Sequence, residues 1–152
     1  MTIIIALHII FMFIAFAFTN GVGIALTAIA ATQDVRSIRT ASRAMRPFNI
    51  AGGIVLLIGI VLGFGAAQAA GYPLSSRWLI ITYIAVALIL VMAFALHAPW
   101  SARLRTAAEA SPEDKPSAAL LAVIGDPLVR IAGPITGLLW LTVISMMVFK
   151  PA

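Results

Sequence analysis

The stretch FNIAGGIVLLIGIVLGFGAAQAA, from Phe48 to Ala70, decides the fold because it contains no charged side chain. A bilayer core of roughly 30 Å needs about 20 apolar residues in a helix, since each residue rises about 1.5 Å. This stretch meets that length, and its many small residues are typical of membrane helices. It predicts one complete crossing of a bilayer.

Three further apolar stretches extend the pattern, at residues 3–31, 78–97 and 131–149. Of the 152 residues, 62% are apolar and 10% are charged. A soluble protein of this size could not bury so much apolar surface, whereas lipid accepts it as solvent. We therefore predict an all-α fold, one four-helix membrane domain over residues 1–152. Pro127 and Pro134 interrupt the last stretch, which predicts a separate short helix from Ala118 to about Gly125; one kinked helix is the alternative.

Basic residues fall mainly in the connections after the first and third spans: Arg36, Arg39, Arg43, Arg46, Arg103, Arg105 and Lys115. Only Arg77 and Lys150 lie at the opposite ends. By the positive-inside rule we expect the basic connections in the cytoplasm and both termini outside, in a bacterial inner membrane. Topology accounts for the net charge of +5, so no nucleic-acid partner is predicted.

The four arginines before Pro47 recur at spacings of three and four, which places them on one helical face. Val35, Ile38 and Met45 form the adjoining face, a pattern that favours a helix lying on the lipid surface. Pro47 would then begin the second span, and Pro99 would end the third span near His97. The charged, proline-containing segment from 107 to 117 indicates a solvated loop.

Small residues follow one sector of the second span: Gly52, Gly53, Gly59, Gly63, Ala66 and Ala67. Small side chains let another helix approach the backbone closely. We expect the neighbour to be a helix of the same chain, with a homodimer as the alternative. Leu56 is expected to face lipid.

One candidate site lies near the outer ends of the helices, around His8. Met12 follows His8 one turn deeper on the same face, and Met146 and Met147 of the last span reach a similar level. Imidazole and thioether groups are ligands for haem iron and for copper. The pattern predicts haem b or copper bound by His8, and the alternative is a core histidine among apolar fillers.

A second polar cluster is predicted at the inner ends of the helices. We expect His97, Asn20 and Asn49 to meet there, with Asp126 and Arg130 at the entry of the last span. Asp126 and Arg130 are four residues apart, so the simplest expectation is an interfacial salt bridge. The alternative is a site for an anion or carboxylate, which arginine binds through two parallel hydrogen bonds.

The sequence lacks the residues that several classes of membrane protein and enzyme require. No acidic residue lies deep in a span, so the carboxylate of a small proton-coupled exporter is missing, and the chain has no cysteine. Motifs of zinc peptidases, serine hydrolases and nucleotide-binding proteins do not occur. These absences favour a protein that is not an enzyme.

The chain resembles the small integral membrane proteins grouped with the CopD-like copper-resistance and HemJ-like protoporphyrinogen oxidase proteins. The matching segments are Leu7-His8-Ile9-Ile10, Gly21-Val22-Gly23, the run from Gly52 to Gly59, Gly63-Phe64-Gly65 and Ser76-Arg77-Trp78-Leu79. The resemblance implies the four-helix fold. In HemJ-like members a histidine of the first helix is tied to haem, and His8 matches it, although Phe11-Met12-Phe13 replaces the tryptophan-containing motif that follows.

Three hypotheses follow for this lipid-embedded protein. The first is binding of haem or copper through His8. The second is an accessory or assembly subunit that binds another membrane protein through its small-residue faces. The third is a transporter for a small organic solute, with Asn20, Asn49 and His97 lining its path.

Overall fold

The computed structural model describes residues 2–150, which contain no β-strand. In this described part, four helices are long and apolar enough to cross a membrane: Ile3–Ala31, Val35–Ala69, Arg77–Ala110 and Ala118–Phe149. They are called the first to the fourth helix below. The predicted all-α four-helix membrane bundle is confirmed, and the chain is an integral membrane protein.

Only the second helix is uninterrupted. The first helix consists of α1 (Thr2–Phe16) and α2 (Val22–Ala31), joined by a wide π-helical turn, π1 (Ala17–Gly21). The second helix is α3 (Val35–Ala69). The third consists of α4 (Arg77–Val91), a second π-helical turn, π2 (Met92–His97), and α5 (Ala98–Ala110). The fourth consists of α6 (Ala118–Ile124) and α7 (Pro127–Phe149), so two helices occupy residues 118–149 and the longer one begins before residue 131.

The boundaries predicted from Pro47 and Pro99 are wrong. Pro47 lies inside α3, where it removes one backbone hydrogen bond. The third helix continues beyond Pro99 to Ala110, so the loop predicted to begin at residue 107 begins at Ser111. The π2 turn ends two residues before Pro99. A wide turn there makes room for the proline ring, which would otherwise meet the carbonyl four residues earlier.

The helices pack together at the arginine-rich end. We call this assembly the basic cap; it comprises residues 35–46 of α3 with α5 and α6. Its buried core includes Ile38, Leu104 and Leu120, each 0% exposed, and Trp100, whose indole N–H donates to the carbonyl of Val123 at 3.1 Å. The second and third helices have 35 and 34 residues, which is more than the roughly 20 residues that cross a bilayer core. The extra length is enough to form the cap.

The predicted lipid-surface helix is therefore wrong. Val35 and Ile38 are 1% and 0% exposed because they pack inside the basic cap, and Met45 packs against the same cluster. The amphipathic pattern is real, but a neighbouring helix covers the apolar face. Asp34 caps the start of α3 by accepting from the backbone N–H groups of Arg36 and Ser37, and the Ser37 hydroxyl helps hold the pKa of Asp34 below its usual value.

The small-residue sector of the second helix receives side chains of the first helix, as predicted. A Cβ atom added at Gly52 would lie 2.9 Å from Cβ of Phe18, and one at Gly59 would lie 2.8 Å from Sδ of Met12. The glycines thus form sockets inside the chain. Leu56 lies in the core at 1% exposure, so its predicted position toward lipid is wrong.

The third and fourth helices form the other half of the bundle. Trp140 of the fourth helix is 2% exposed and meets Phe16 edge to face, with ring centroids 5.4 Å apart. At the end opposite the basic cap, the Lys150 ammonium donates to the Tyr72 hydroxyl at 2.9 Å. These contacts join the two halves at different depths and leave space between them near the cap.

Candidate ligand-binding cavity

A cavity of about 660 Å³ lies between all four helices, next to the basic cap. Apolar side chains form much of its wall, including Leu56, Ile89, Phe94 and Val129. Pockets that hold small organic ligands usually have volumes of roughly 300–1,000 Å³, with mostly apolar walls and a few polar groups. In size and lining, the cavity is of this kind.

Both π-helical turns border the cavity. The π1 turn contributes Thr19 and Asn20, and π2 contributes Phe94 and His97. The Thr19 hydroxyl donates to the carbonyl of Ala15 at 2.7 Å, which satisfies a backbone acceptor beside the widened turn. Single π-helical turns within α-helices occur frequently at functional sites. Here they turn polar side chains toward one space between the two halves of the bundle.

Four residues of the predicted inner polar cluster line this cavity: Asn20, Asn49, His97 and Arg130. The side-chain nitrogen of Asn20 is buried and has no hydrogen-bond partner in the described residues. A buried donor without a partner costs about 1–3 kcal/mol. Arg130 forms no ion pair within residues 2–150. The cavity therefore presents hydrogen-bond donors and a positive charge that no described acceptor satisfies.

Asp126 does not form the expected pair with Arg130. Its carboxylate accepts from Arg103 at 3.2 Å and from the backbone N–H of Leu128 at 3.1 Å. Because Asp126 caps the first turn of α7, its side chain turns back on that helix end and toward α5. Arg130 lies one turn further along and contributes to the cavity wall.

His8 is buried at the contact between the first and second helices. Its Nδ1 lies 2.8 Å from the carbonyl oxygen of Gly59, and a Cβ atom added at Gly63 would lie 2.7 Å from its ring. Because a carbonyl only accepts, Nδ1 carries the proton, and in the neutral form of the ring Nε2 is the nitrogen with the free lone pair. This geometry is that of a satisfied core histidine, and it leaves one nitrogen that could act as a ligand.

The methionines grouped with His8 take part in packing. Met12 lies against Gly59, and Met12 and Met147 contact the core cluster that contains Ala85 and Trp140. Met146 packs near Trp78 at the start of the third helix. No group of three or more histidine, cysteine or acidic side chains forms a metal site in the described part of the chain.

Sequence reasoning missed three features of the cavity. It did not foresee the two π-helical turns, the contribution of Phe94, or that of the buried Thr136 in the fourth helix. Pro99 was the available signal for π2, since a proline within an apolar stretch can widen a helix instead of ending it. No comparable signal marks π1.

No protein-family model, curated protein or solved structure matches this chain. The likeness to the CopD-like and HemJ-like grouping accordingly stays a prediction. The first helix occupies Gly52, Gly59 and Gly63, whereas an added Cβ at Gly133 or Gly137 of the fourth helix meets nothing within 4 Å. The accessory-subunit hypothesis therefore stays a prediction.

Proposed function

We propose that this protein binds a small organic anion, a carboxylate in the simplest case, in the cavity between its four helices, as a carrier or transporter in the membrane. The observation that carries the proposal is the unpaired Asn20 amide in a cavity that Arg130 and His97 also line. Arginine binds carboxylates in a planar, two-pronged geometry, and amide and imidazole groups add donors.

The apolar wall defines the other end of such a ligand. Leu56 and Ile89 are almost fully buried, and with Phe94 they surround space that suits a hydrocarbon or aromatic group. A bound carboxylate would give the Asn20 amide the acceptor that it lacks. Burial of the apolar part contributes about 25 cal/mol per Å². The two ends together favour an amphipathic acid over an inorganic anion.

We expect 1-naphthoate to bind the purified protein more tightly than uncharged 1-naphthalenemethanol does. The measurement is isothermal titration calorimetry in a neutral detergent. Arg130→Gln should weaken naphthoate binding by about tenfold or more, because a hydrogen bond to a charged group contributes about 1.5–3 kcal/mol. Asn20→Leu should also weaken it, since the variant removes the donor and fills part of the cavity.

The matched control is Arg77→Gln, which removes the same charge from a residue that is exposed, as Arg130 is, but that lies at the end of the third helix far from the cavity. It should leave naphthoate binding unchanged. Equal affinities for the acid and the alcohol would contradict the proposal. So would an equal loss in Arg77→Gln and Arg130→Gln, because the charge would then act at a distance and not in the cavity.

A second candidate, haem or copper bound through His8, is favoured by one observation. Nδ1 of His8 faces the Gly59 carbonyl, and ligating histidines commonly donate their other ring N–H in this way. We expect His8→Ala to remove a Soret band or bound copper, and His97→Ala to retain it. Protein expressed with haem precursor or copper that purifies colourless and copper-free would end this hypothesis.

The basic cap is proposed to lie in the cytoplasm of a bacterium, with the other end of the bundle outside the inner membrane. The asymmetry of the arginines supports this orientation. Ser75 and Asp114 lie exposed in turns at opposite ends, and the natural chain contains no cysteine. In intact cells, an impermeant maleimide should label Ser75→Cys but label Asp114→Cys only after lysis. Labelling of Asp114→Cys alone in intact cells would reverse the orientation.

A further inference from the structure

A second cavity, of about 470 Å³, lies between the second and third helices on the other side of Asn49 and Phe94. We call it the arginine groove. Ser42, Arg46 and Arg105 line it at the end next to the basic cap, and Ile50, Ile54 and Leu57 line the rest. It shares wall residues with the four-helix cavity, but these three polar side chains are its own.

The arginines that precede the groove along α3 are all engaged. Arg39 donates through Nε to the carbonyl of Ala108 at 2.8 Å. Arg43 pairs with Glu109 at 3.1 Å, and Arg36 with Glu113 at 3.8 Å. In contrast, Arg46 and Arg105 have neither an ion pair nor a side-chain hydrogen bond to any described residue. Two unpaired guanidinium groups on facing helices thus converge on one groove.

Ser42 gives a second, independent indication of a ligand. Its side chain lines the groove, is 7% exposed, and has a buried hydroxyl without a hydrogen-bond partner among residues 2–150. A serine hydroxyl inside a helix commonly donates to the carbonyl four residues earlier, as Thr82 and Thr136 do here. The Ser42 hydroxyl does not, so it remains available to an acceptor in the groove.

The far end of the groove is suited to a hydrocarbon chain. Ile50, Ile54 and Leu57 follow one another along α3 at 56%, 55% and 49% exposure, on the membrane side of Arg46. Leucine and isoleucine side chains that are half exposed in a membrane helix contact lipid. Positive charge at the cap end and an apolar strip at the membrane end match the two parts of one amphipathic molecule.

We propose that the arginine groove is a binding site for an anionic phospholipid. Arg46 and Arg105 hold the headgroup phosphate, Ser42 donates a further hydrogen bond to it, and an acyl chain lies along Ile54 and Leu57. Basic pockets between membrane helices recognise anionic headgroups in this way. This site does not rest on the proposed function of the neighbouring cavity, because Ser42, Arg46 and Arg105 do not line that cavity.

The test is native mass spectrometry of the full chain in neutral detergent, titrated with phosphatidylglycerol or with phosphatidylcholine of the same acyl chains. We expect one tightly bound phosphatidylglycerol and weaker binding of phosphatidylcholine, whose choline cancels the phosphate charge. Arg46→Gln and Arg105→Gln should each weaken phosphatidylglycerol binding by about fivefold, the effect of one basic residue beside an anionic lipid. Arg36→Gln removes the same charge from an exposed ion pair and is expected to change little.

Wild-type affinity in both Arg46→Gln and Arg105→Gln would overturn the proposal, as would an equal loss in Arg36→Gln. Arg46→Lys, which keeps the charge, should retain part of the affinity if Arg46→Gln fails to fold. A further titration uses inorganic phosphate in excess over lipid. If phosphate alone raises the melting temperature as much as phosphatidylglycerol does and displaces it, the occupant is free phosphate and the lipid site is disproved.

Discussion

Replacing Gly63 with leucine is expected to lower the free energy of unfolding by about 1–3 kcal/mol through overpacking alone. A Cβ atom at this position would lie 2.7 Å from Cε1 of His8 and 3.0 Å from its Nδ1. The imidazole would therefore have to move, and the hydrogen bond from its Nδ1 to the Gly59 carbonyl would break. A buried polar group left without its partner costs about a further 1–3 kcal/mol.

The measurement is reversible unfolding in mixed detergent micelles, followed by circular dichroism. Gly137→Leu is the matched control, because an added Cβ at Gly137 of the fourth helix meets nothing within 4 Å. The control should unfold close to the wild type. Equal stability of Gly63→Leu and Gly137→Leu would contradict the close contact between the first two helices.

Replacing Arg39 with methionine is expected to destabilise the basic cap by about 1.5–3 kcal/mol, the contribution of hydrogen bonds from a charged group. The guanidinium donates to the carbonyls of Ala108, Glu109 and Ser111 at the end of the third helix. Carbonyls at a helix end lack most of their partners within the helix and carry its negative dipole end. Of these three, the Ala108 carbonyl also accepts from the backbone N–H of Ser111 at 3.3 Å. Methionine keeps the length of the side chain but removes every donor.

Arg36→Met is the comparison for Arg39→Met. Arg36 pairs with Glu113 at 3.8 Å, with side chains 82% and 65% exposed, and such pairs contribute about 0–1 kcal/mol. Hydrogen exchange of the amides in α5 and α6 should accelerate in Arg39→Met and stay near the wild-type rate in Arg36→Met. A similar acceleration in both variants would show that general charge, and not helix capping, holds the cap together.

The membrane fold could be predicted from the sequence because lipid imposes a simple requirement. Backbone groups must be satisfied within each span, so uncharged stretches of sufficient length predict helices. The glycines of the second helix were equally informative, since only small side chains let a neighbour approach. His97, Asn20 and Asn49, which the sequence grouped by depth, line one cavity in the structure, because antiparallel helices bring the same ends together.

Where each helix ends was harder to predict. Pro47 lies within α3 because the helix is held by packing on both sides: Ile38 is buried in the basic cap before it, and Gly52 packs against Phe18 after it. A proline removes a hydrogen bond but does not determine whether neighbours compensate for the loss. The same reasoning applies to Pro99, where a π-helical turn allows the third helix to continue.

By itself, the sequence determined that this is a four-helix membrane protein with its arginines concentrated on one side, because apolar length and charge position are local properties of the chain. Only the tertiary structure decided which neighbours each polar group has. It packed Val35 and Ile38 inside the basic cap, paired Asp126 with Arg103, and left Asn20, Ser42 and Arg46 without partners among residues 2–150, beside two cavities. Partner choice depends on how distant segments pack, and no local pattern encodes it.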